Sequence, residues 1–242
     1  MPDAPEILVV IAARDEADRI GATLQALRAT FAGARLFVAD DGSRDGTSSI
    51  AAAGGAEVVW SPEPVGKGGA ATRAAQRALQ VARDPDTAIV LLCDGDLGAS
   101  AARLTPLVDA VREGHLDLAV AAFARRAGGG FGVAVGYARR AVRRLCDLEL
   151  QAPISGQRAL RGDVLRAVLP FAPRFGMEIG MTVDAARAGY RVGEVEIDLE
   201  HRATGRSLGG FLHRARPLRD FMAVERSRRS AGRSTAGRSA AA

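Results

Sequence analysis

The sequence predicts an α/β fold in which a mostly parallel sheet carries helices on both faces. Four short apolar runs, at residues 7–12, 36–39, 57–60 and 88–93, have the length and the branched side chains of buried strands. Segments with helical character follow the first three runs. This alternation favours parallel strands joined by right-handed crossovers. The 242 residues, 48% of them hydrophobic, are enough for one large domain, and no linker divides them.

Three strand–helix units open the chain. The first helix is predicted because apolar residues recur at helical spacing after two carboxylates, namely Ile20, Leu24, Leu27 and Phe31 after Asp15 and Glu16. Further helices are expected at 48–53, after the second strand, and at 70–82, after the third. The loop at 61–69, before that last helix, holds two prolines and three glycines.

The second half of the chain is less regular. We expect a helix at 101–112, a strand at 116–123, a glycine-rich loop at 127–132 and an amphipathic helix at 133–150. A turn at 155–157, a helix at 177–188 that ends at Gly189 and an alternating strand at 191–199 follow. The domain is therefore expected to occupy residues 1–226. Residues 227–242, rich in Ser, Arg, Gly and Ala, are expected to form a disordered basic tail.

Composition limits the cellular context. No apolar stretch is long enough to span a membrane, and the N-terminus lacks the basic start of a secretory signal, which favours a cytoplasmic protein. Much of the +5 net charge lies in late arginines, and a basic helix at 208–229 is a candidate docking face for the inner surface of a membrane. A solvated face is the simpler interpretation. Cys93 and Cys146 lack metal-type spacing and are expected to be reduced, buried thiols.

The fourth strand ends in the most informative motif, Asp94-Gly95-Asp96. Ligands of parallel sheets bind outside the carboxyl ends of the strands, and carboxylates are the ligands that Mg²⁺ and similar cations prefer. The motif therefore indicates a metal-bridged diphosphate. A simple turn explains the same residues about equally well, because Asp and Gly are common in turns.

The glycine-rich segment around Lys67 admits several interpretations. It fits a loose dinucleotide-binding fingerprint but follows the third strand rather than the first, and a phosphate-binding P-loop would need Ser or Thr where Gly68 stands. A lysine at a helix N-terminus can still approach a diphosphate, because backbone N–H groups and the helix dipole favour anions there. A solvated loop lysine is the alternative.

Taken in order, four segments resemble family 2 glycosyltransferases: residues 10–16, 38–47, 66–68 and 94–96. The run from Asp40 to Thr47 reads Asp-Asp-Gly-Ser-Arg-Asp-Gly-Thr and is close to the signature of that family. Residues 155–160 and 175–179 resemble acceptor-side elements of the polyprenyl-phosphate and glucosyl-3-phosphoglycerate synthase branches. The resemblance covers about the first 220 residues and implies the GT-A fold, a Rossmann-like mostly parallel sheet.

The resemblance implies roles for individual residues. Those implied for the donor nucleotide are Ala12, Arg14, Glu16, Asp41 (facing the base), Lys67 and Asp94 (near the ribose). A divalent metal, Mg²⁺ or Mn²⁺, is implied on Asp96, with His201 matching a histidine that completes the site in one branch. Gly156, Gln157 and Arg206 are implied at the acceptor or the diphosphate. Ala12 replaces the usual proline and Gln157 the usual aromatic residue, which leaves the acceptor open.

The predicted function is metal-dependent transfer of a sugar from a UDP- or GDP-linked donor to a phosphate-bearing or hydroxyl acceptor. Charge develops on the leaving diphosphate, so a metal on Asp96, helped by Lys67 and Arg206, would stabilise it. Glu178 is the candidate catalytic base for a hydroxyl acceptor, or else a ligand of the donor sugar. The alternatives are a nucleotidyltransferase that makes sugar nucleotides, or a non-catalytic protein that binds nucleotides or nucleic acid. No nucleic acid partner is expected, and the acceptor and oligomeric state are undetermined.

Overall fold

The computed structural model describes residues 4–123, 132–198 and 219–229 and contains one seven-stranded sheet. The strands are β1 (Ile7–Ala13), β2 (Arg35–Asp40), β3 (Glu57–Trp60), β4 (Ile89–Asp94), β5 (Leu118–Phe123), β6 (Arg158–Arg161) and β7 (Val192–Ile197). The helices are α1 (Ile20–Thr30), α2 (Thr47–Ala53), α3 (Lys67–Val81), α4 (Thr105–Arg112), α5 (Gly132–Cys146), α6 (Gly162–Val168), α7 (Met177–Arg187) and α8 (219–229). Two short 3₁₀ segments, Gly98–Leu104 and Arg174–Gly176, precede α4 and α7.

The strand order is β3-β2-β1-β4-β6-β5-β7, which confirms the expected mostly parallel α/β sheet. The first four strands in this order run parallel to one another, and β5 runs parallel to β7. β6 lies antiparallel between β4 and β5. The carboxyl ends of β1, β2 and β4 therefore share an edge of the sheet with the beginning of β6.

Helices cover both faces of the sheet, as predicted. On one face, side chains of α1 and α4 such as Leu24 and Leu107 pack with the alternate strand residues Val9 and Ile11. On the other face, Leu8 and Val10 pack with alanines of α3 and with residues of α6 and α7. Alternation of side chains along β1 thus divides the apolar residues between two core layers.

A third apolar cluster joins the C-terminal helix to the domain. Phe221 and Val224 of α8 are buried against Val142 of α5 and against Ile179 and Val183 of α7. α8 also makes polar contacts, since the Tyr137 hydroxyl donates to the Glu225 carboxylate and Arg228 donates to Asp184 at 2.6 Å. The helix carrying Glu178 is thereby fixed on the side away from the sheet.

An ion-pair cluster ties together the opposite edge of the sheet. The buried Asp117, just before β5, accepts hydrogen bonds from Arg161 at 3.0 Å and from the side chain of Arg191 at 2.9 and 3.0 Å. The hydrogen bonds from Arg191, together with the charges of both arginines, hold the pKa of Asp117 below its usual range, although burial opposes the shift. β5, β6 and the chain before β7 are therefore locked at this edge.

Several expected boundaries differ. β6 and α6 were not predicted, and the expected helix at 101–112 is divided into a 3₁₀ segment and α4. The helix expected at 133–150 ends at Cys146, because Asp147 adopts the left-handed conformation with φ 57°. α8 extends to residue 229, so residues 227–229 are helical rather than part of a disordered tail. Of the glycine-rich loop expected at 127–132, Gly132 instead begins α5, while residues 127–131 lie outside the described residues, as do residues 230–242. In the described part of the chain, no helix is long and apolar enough to cross a membrane.

Candidate active site

Strand register brings the predicted donor residues to one edge of the sheet. Ala12 of β1 lies beside Asp94 of β4 and beside Ala39 of β2, and Asp40 and Asp41 follow directly. The backbone N–H of Gly95 donates to the Ala12 carbonyl oxygen at 2.8 Å, which continues the pairing just past the strand end. The Asp-Gly-Asp motif therefore begins within the sheet, and its first aspartate is fixed by a strand.

Lys67 lies between two carboxylates at this edge. Its Nζ is 2.7 Å from Asp94 Oδ1 and 2.9 Å from Glu178 Oε1. Burial favours the neutral amine, but the two negative charges outweigh it, so the pKa of Lys67 is raised above its usual value. The alternative of a solvated loop lysine is thus wrong, and Lys67 is a charged group that joins β4 to the first turn of α7.

Residues 156 and 157 complete this network from the side of β6. The buried Gln157 donates from Nε2 to Asp94 Oδ2 at 2.9 Å, and its Oε1 accepts from the Ser155 hydroxyl at 3.3 Å. A Cβ added to Gly156 would lie 2.6 Å from Lys67 Nζ and 2.7 Å from Asp94 Oδ2, closer than side-chain carbons approach other atoms. Glycine at 156 therefore leaves the space that the Lys67–Asp94 contact occupies.

Asp41 holds the loop that carries Lys67. The Asp41 carboxylate is buried and accepts hydrogen bonds from the backbone N–H groups of Val65, at 2.7 Å, and of Gly66, at 3.0 Å. The side chain of Arg14 lies beside the same carboxylate, 3.9 Å away. The N–H groups of Val65 and Gly66 are therefore engaged by Asp41, which fixes the chain just before Lys67.

Backbone conformation and close packing explain why glycine stands on either side of Lys67. Gly66 has φ 82° and ψ 158°, a conformation that is essentially restricted to glycine. A Cβ at Gly68 would lie 2.0 Å from the backbone oxygen of Ala172. The segment before α7 thus packs directly on the beginning of α3, and this close approach brings Lys67 within reach of Glu178.

The rest of the Asp40–Thr47 signature joins two loops. Backbone N–H groups of the loop after β1 donate to signature side chains: Asp15 to the Ser43 hydroxyl at 3.0 Å, Glu16 to the Thr47 hydroxyl at 2.8 Å, and Ala17 to Asp45 at 3.1 Å. The buried Asp40 in turn accepts from the Ser43 N–H at 2.8 Å and from the Ser48 hydroxyl. Most polar side chains of the signature therefore bind backbone, which holds the loops after β1 and β2 together.

Asp96 is exposed in the turn after β4, and Glu16 lies near it. Partial burial, followed by the negative charges of Asp96 and Asp18, raises the pKa of Glu16 above its usual value. The chemistry of these groups fits a hard divalent cation, because oxygen ligands are what such cations prefer. Among the residues that the structure describes, no three acidic, cysteine or histidine side chains converge as a complete metal site. His201 and Arg206 lie outside those residues.

Two residues that sequence reasoning did not single out fix the chain before β6. The fully buried Arg158 donates to the carbonyl oxygens of Pro153, at 2.8 Å, and Ser155, at 2.9 Å, and to the Thr182 hydroxyl of α7. Burial lowers the pKa of Arg158 to about 10, against the opposing effect of Glu178 and Glu194. Glu194 of β7 accepts from the N–H groups of Gln151, at 2.7 Å, and Ala152. No sequence pattern indicated this support, because β6 begins and ends with arginine and β7 contains two glutamates.

Most predicted site residues form one connected group. The members of this group are Ala12, Asp41, Lys67, Asp94, Gly156, Gln157 and Glu178, while Arg14 contacts Asp41, and Glu16 and Asp96 lie at its border. The roles implied for them in binding donor, metal and acceptor stay predictions.

The comparisons with known proteins agree with this geometry. The sequence model of glycosyl transferase family 2 matches residues 8–168. Glucosyl-3-phosphoglycerate synthase of Mycolicibacterium paratuberculosis is 32% identical over an alignment that takes in 91% of this chain and 69% of that protein. Undecaprenyl-phosphate mannosyltransferase of Micrococcus luteus is 30% identical, over 83% of this chain and 86% of that protein.

Solved structures of glucosyl-3-phosphoglycerate synthase from Mycobacterium tuberculosis are also similar. One, in complex with Mn²⁺, UDP-glucose and glycerol 3-phosphate, superposes with a TM-score of 0.70 at 28% identity and covers 93% of this chain and 80% of that one. Another, with Mn²⁺, UDP and phosphoglyceric acid, gives a TM-score of 0.72 at 28% identity, over 93% and 78% of the two chains.

Proposed function

The chain belongs to glycosyl transferase family 2, and from that premise we propose that it moves a sugar from a uridine diphospho-sugar to an acceptor that carries a phosphate group. The observation that carries the proposal is the position of Lys67, held between Asp94 and Glu178 where the strands end. A partly buried cation whose position is fixed by two carboxylates at the ligand-binding edge of an α/β sheet is suited to an anionic leaving group.

On the donor side, the nucleotide lies along the loops after β1, β2 and β4. Ala12, Arg14 and Glu16 border the nucleotide, Asp41 lies at the base, and Asp94 lies at the ribose. Support comes from the joining of these loops by the signature side chains, which leaves little conformational freedom to lose when a nucleotide binds. The similar M. tuberculosis enzyme was crystallised with UDP-glucose, which favours uracil over guanine as the base.

Asp96, with His201 as its partner, would hold a divalent cation, Mn²⁺ or Mg²⁺. Such an ion supplies electrostatic stabilisation to a departing diphosphate when it is bound. Asp96 is suited to this task because it is exposed and follows a strand-held Asp94 by only two residues. The presence of Mn²⁺ in the similar structures supports the choice of metal.

On the acceptor side, Gly156 and the first turn of α7 face the same edge. The names of the two relatives indicate acceptors that carry a phosphate group: a phosphoglycerate for one and a polyprenyl phosphate for the other. If the nucleophile is a hydroxyl, Glu178 takes its proton or binds hydroxyls of the donor sugar. If it is a phosphate oxygen, no base is needed.

The first test is titration calorimetry with UDP and GDP, each with and without Mn²⁺, on the wild type and on Asp96→Ala. We expect UDP to bind, and its affinity to depend on both Mn²⁺ and Asp96. Asp109→Ala, which removes a partly exposed carboxylate of α4 that pairs with Arg112, is the matched control and should bind as the wild type does. Failure of both nucleotides to bind under every condition would refute the proposal. If Asp96→Ala binds UDP with the same affinity and the same dependence on Mn²⁺ as the wild type, only the role of Asp96 is refuted.

A second assay addresses the acceptor. UDP-glucose with Mn²⁺ is incubated with either phosphoglyceric acid or a polyprenyl phosphate in detergent, and products are identified by mass spectrometry. A glucosylated product from either acceptor supports the phosphate-bearing class and distinguishes its two members. Hydrolysis of UDP-glucose without any glucosylated product from either would contradict the proposed acceptor.

A further inference from the structure

Gln157 stands at a position where the resemblance implied contact with the acceptor or the diphosphate, yet its amide is directed at Asp94. Only 1% of the residue is exposed, and its Nε2 donates to Asp94 Oδ2 at 2.9 Å. The direction of the amide is fixed by chemistry, because an ionised carboxylate only accepts hydrogen bonds. The Oε1 end accepts from the buried Ser155 hydroxyl. An amide engaged at both ends in a closed space is not available to bind an acceptor.

From these contacts we infer that Gln157 is a positioning residue of the donor site, which orients Asp94 so that its other oxygen contacts Lys67. The two oxygens of Asp94 have separate partners, Gln157 on Oδ2 and Lys67 on Oδ1. A carboxylate held at both oxygens cannot rotate about its terminal bond without losing one of them. This inference rests on the proposed function, since it assigns Gln157 to nucleotide binding through Asp94.

The surroundings of Gln157 support this function. The chain before it is held by Glu194, through backbone N–H groups, and by Arg158, through backbone carbonyl oxygens. Leu92 of β4 pairs with Arg158 of β6 in the antiparallel ladder. Asp94 comes two residues after Leu92, and Gln157 comes directly before Arg158, so both residues lie close to a paired position. The side chain thus starts from a fixed backbone, and preorganisation of this kind keeps a hydrogen bond in place while a ligand binds.

Three variants separate this inference from a packing role: Gln157→Met, which keeps the length and removes the donor, Gln157→Glu, which turns the donor into a carboxylate facing Asp94, and Gln157→Asn, which keeps the amide and shortens its reach. UDP affinity in the presence of Mn²⁺ is measured by calorimetry, and folding is checked by thermal unfolding. Gln76→Met and Gln76→Glu, at an exposed position of α3, are the matched controls.

We expect Gln157→Met to weaken UDP binding about tenfold, the usual effect of losing a hydrogen bond to a charged group. Gln157→Glu should be weaker still, because two carboxylates would face each other. Gln157→Asn should resemble Gln157→Met, and both Gln76 variants should bind as the wild type does. Glutamate is the closest match to glutamine in shape. A packing role therefore predicts that Gln157→Glu binds UDP more tightly than Gln157→Met.

Each result decides between the possibilities. Folded Gln157 variants that bind UDP as the wild type does would overturn the inference, and so would a Gln157→Glu protein that binds better than Gln157→Met. If Gln157→Glu does not fold, a folded Gln157→Met protein with wild-type UDP affinity still overturns the inference. Absence of UDP binding by the wild type would instead reject the proposed function, and with it the premise of this inference.

Discussion

Replacement of Gly68 by alanine tests the packing that places Lys67. The added Cβ would lie 2.0 Å from the backbone oxygen of Ala172, whereas ordinary contacts begin near 3.4 Å. One of the two segments must therefore move by about 1.4 Å, and the obstacle is backbone rather than the end of a flexible side chain. Because α3 and the segment before α7 both belong to the core around Met177, neither can move alone.

The expected size follows from two opposing effects. Overpacking of this kind costs about 3 kcal/mol, while replacement of a helical glycine by alanine contributes at most about 1 kcal/mol in the other direction. The net loss is about 2 kcal/mol, which for a chain of this length lowers Tm by roughly 4–8 °C. UDP affinity should fall as well, because Lys67 is the neighbouring residue.

The assay is urea unfolding monitored by circular dichroism, with Gly136→Ala as the control. Gly136 lies within α5, and among the described residues a Cβ there would meet only Arg140 Nη1, at 3.9 Å. The same chemical change should therefore stabilise the protein by up to about 1 kcal/mol at 136 and destabilise it at 68. A Gly68→Ala protein as stable as the wild type, beside a stabilised Gly136→Ala protein, would show that this steric argument is wrong.

Two other perturbations have distinct signatures. Asp117→Asn should lower the free energy of unfolding by about 1 kcal/mol at pH 6, after allowance for the partly exposed arginines. The folded-state pKa of Asp117 lies below that of the unfolded chain, so this difference should be constant above about pH 4 and shrink as the pH falls further. Urea unfolding at pH 6 and pH 3 measures the difference. A difference that does not depend on pH would contradict the role of ionisation. Gly156→Ala should weaken UDP binding by about tenfold, since the added Cβ displaces the Lys67–Asp94 contact, and should lower the stability less than Gly68→Ala does. Wild-type UDP affinity of this variant in calorimetry would exclude the Lys67–Asp94 contact from the donor site.

The sheet, and the meeting of candidate residues at one of its edges, were predictable because they depend on local patterns. The apolar runs that became β1, β2, β3 and β4 are continuous and bounded by polar residues, and the Asp-Gly-Asp motif directly follows one of them. The start of α3 was placed late, since its glycines at 68 and 69 resemble loop residues, whereas the helix begins at Lys67.

Contacts between distant segments were not predictable. β6 is only four residues long and begins with the buried Arg158, so its pattern is not that of an apolar strand. The direction of Gln157 toward Asp94 joins residues 63 positions apart, and no spacing rule reports such a contact. Asp41 was assigned to the base from a resemblance, but its engagement with backbone N–H groups became visible only in three dimensions.

The reversed direction of β6 has a consequence for how this fold accommodates change. The loops after β1, β2 and β4 approach the edge as strands end, whereas residues 151–157 reach it before a strand begins. One edge is therefore built from an early stretch of the chain and a late one, and the two meet at Asp94, which contacts Lys67 on one oxygen and Gln157 on the other. A substitution at 156 or 157 consequently acts on residues that the early strands position, so the two stretches are coupled through one carboxylate although 63 residues separate them.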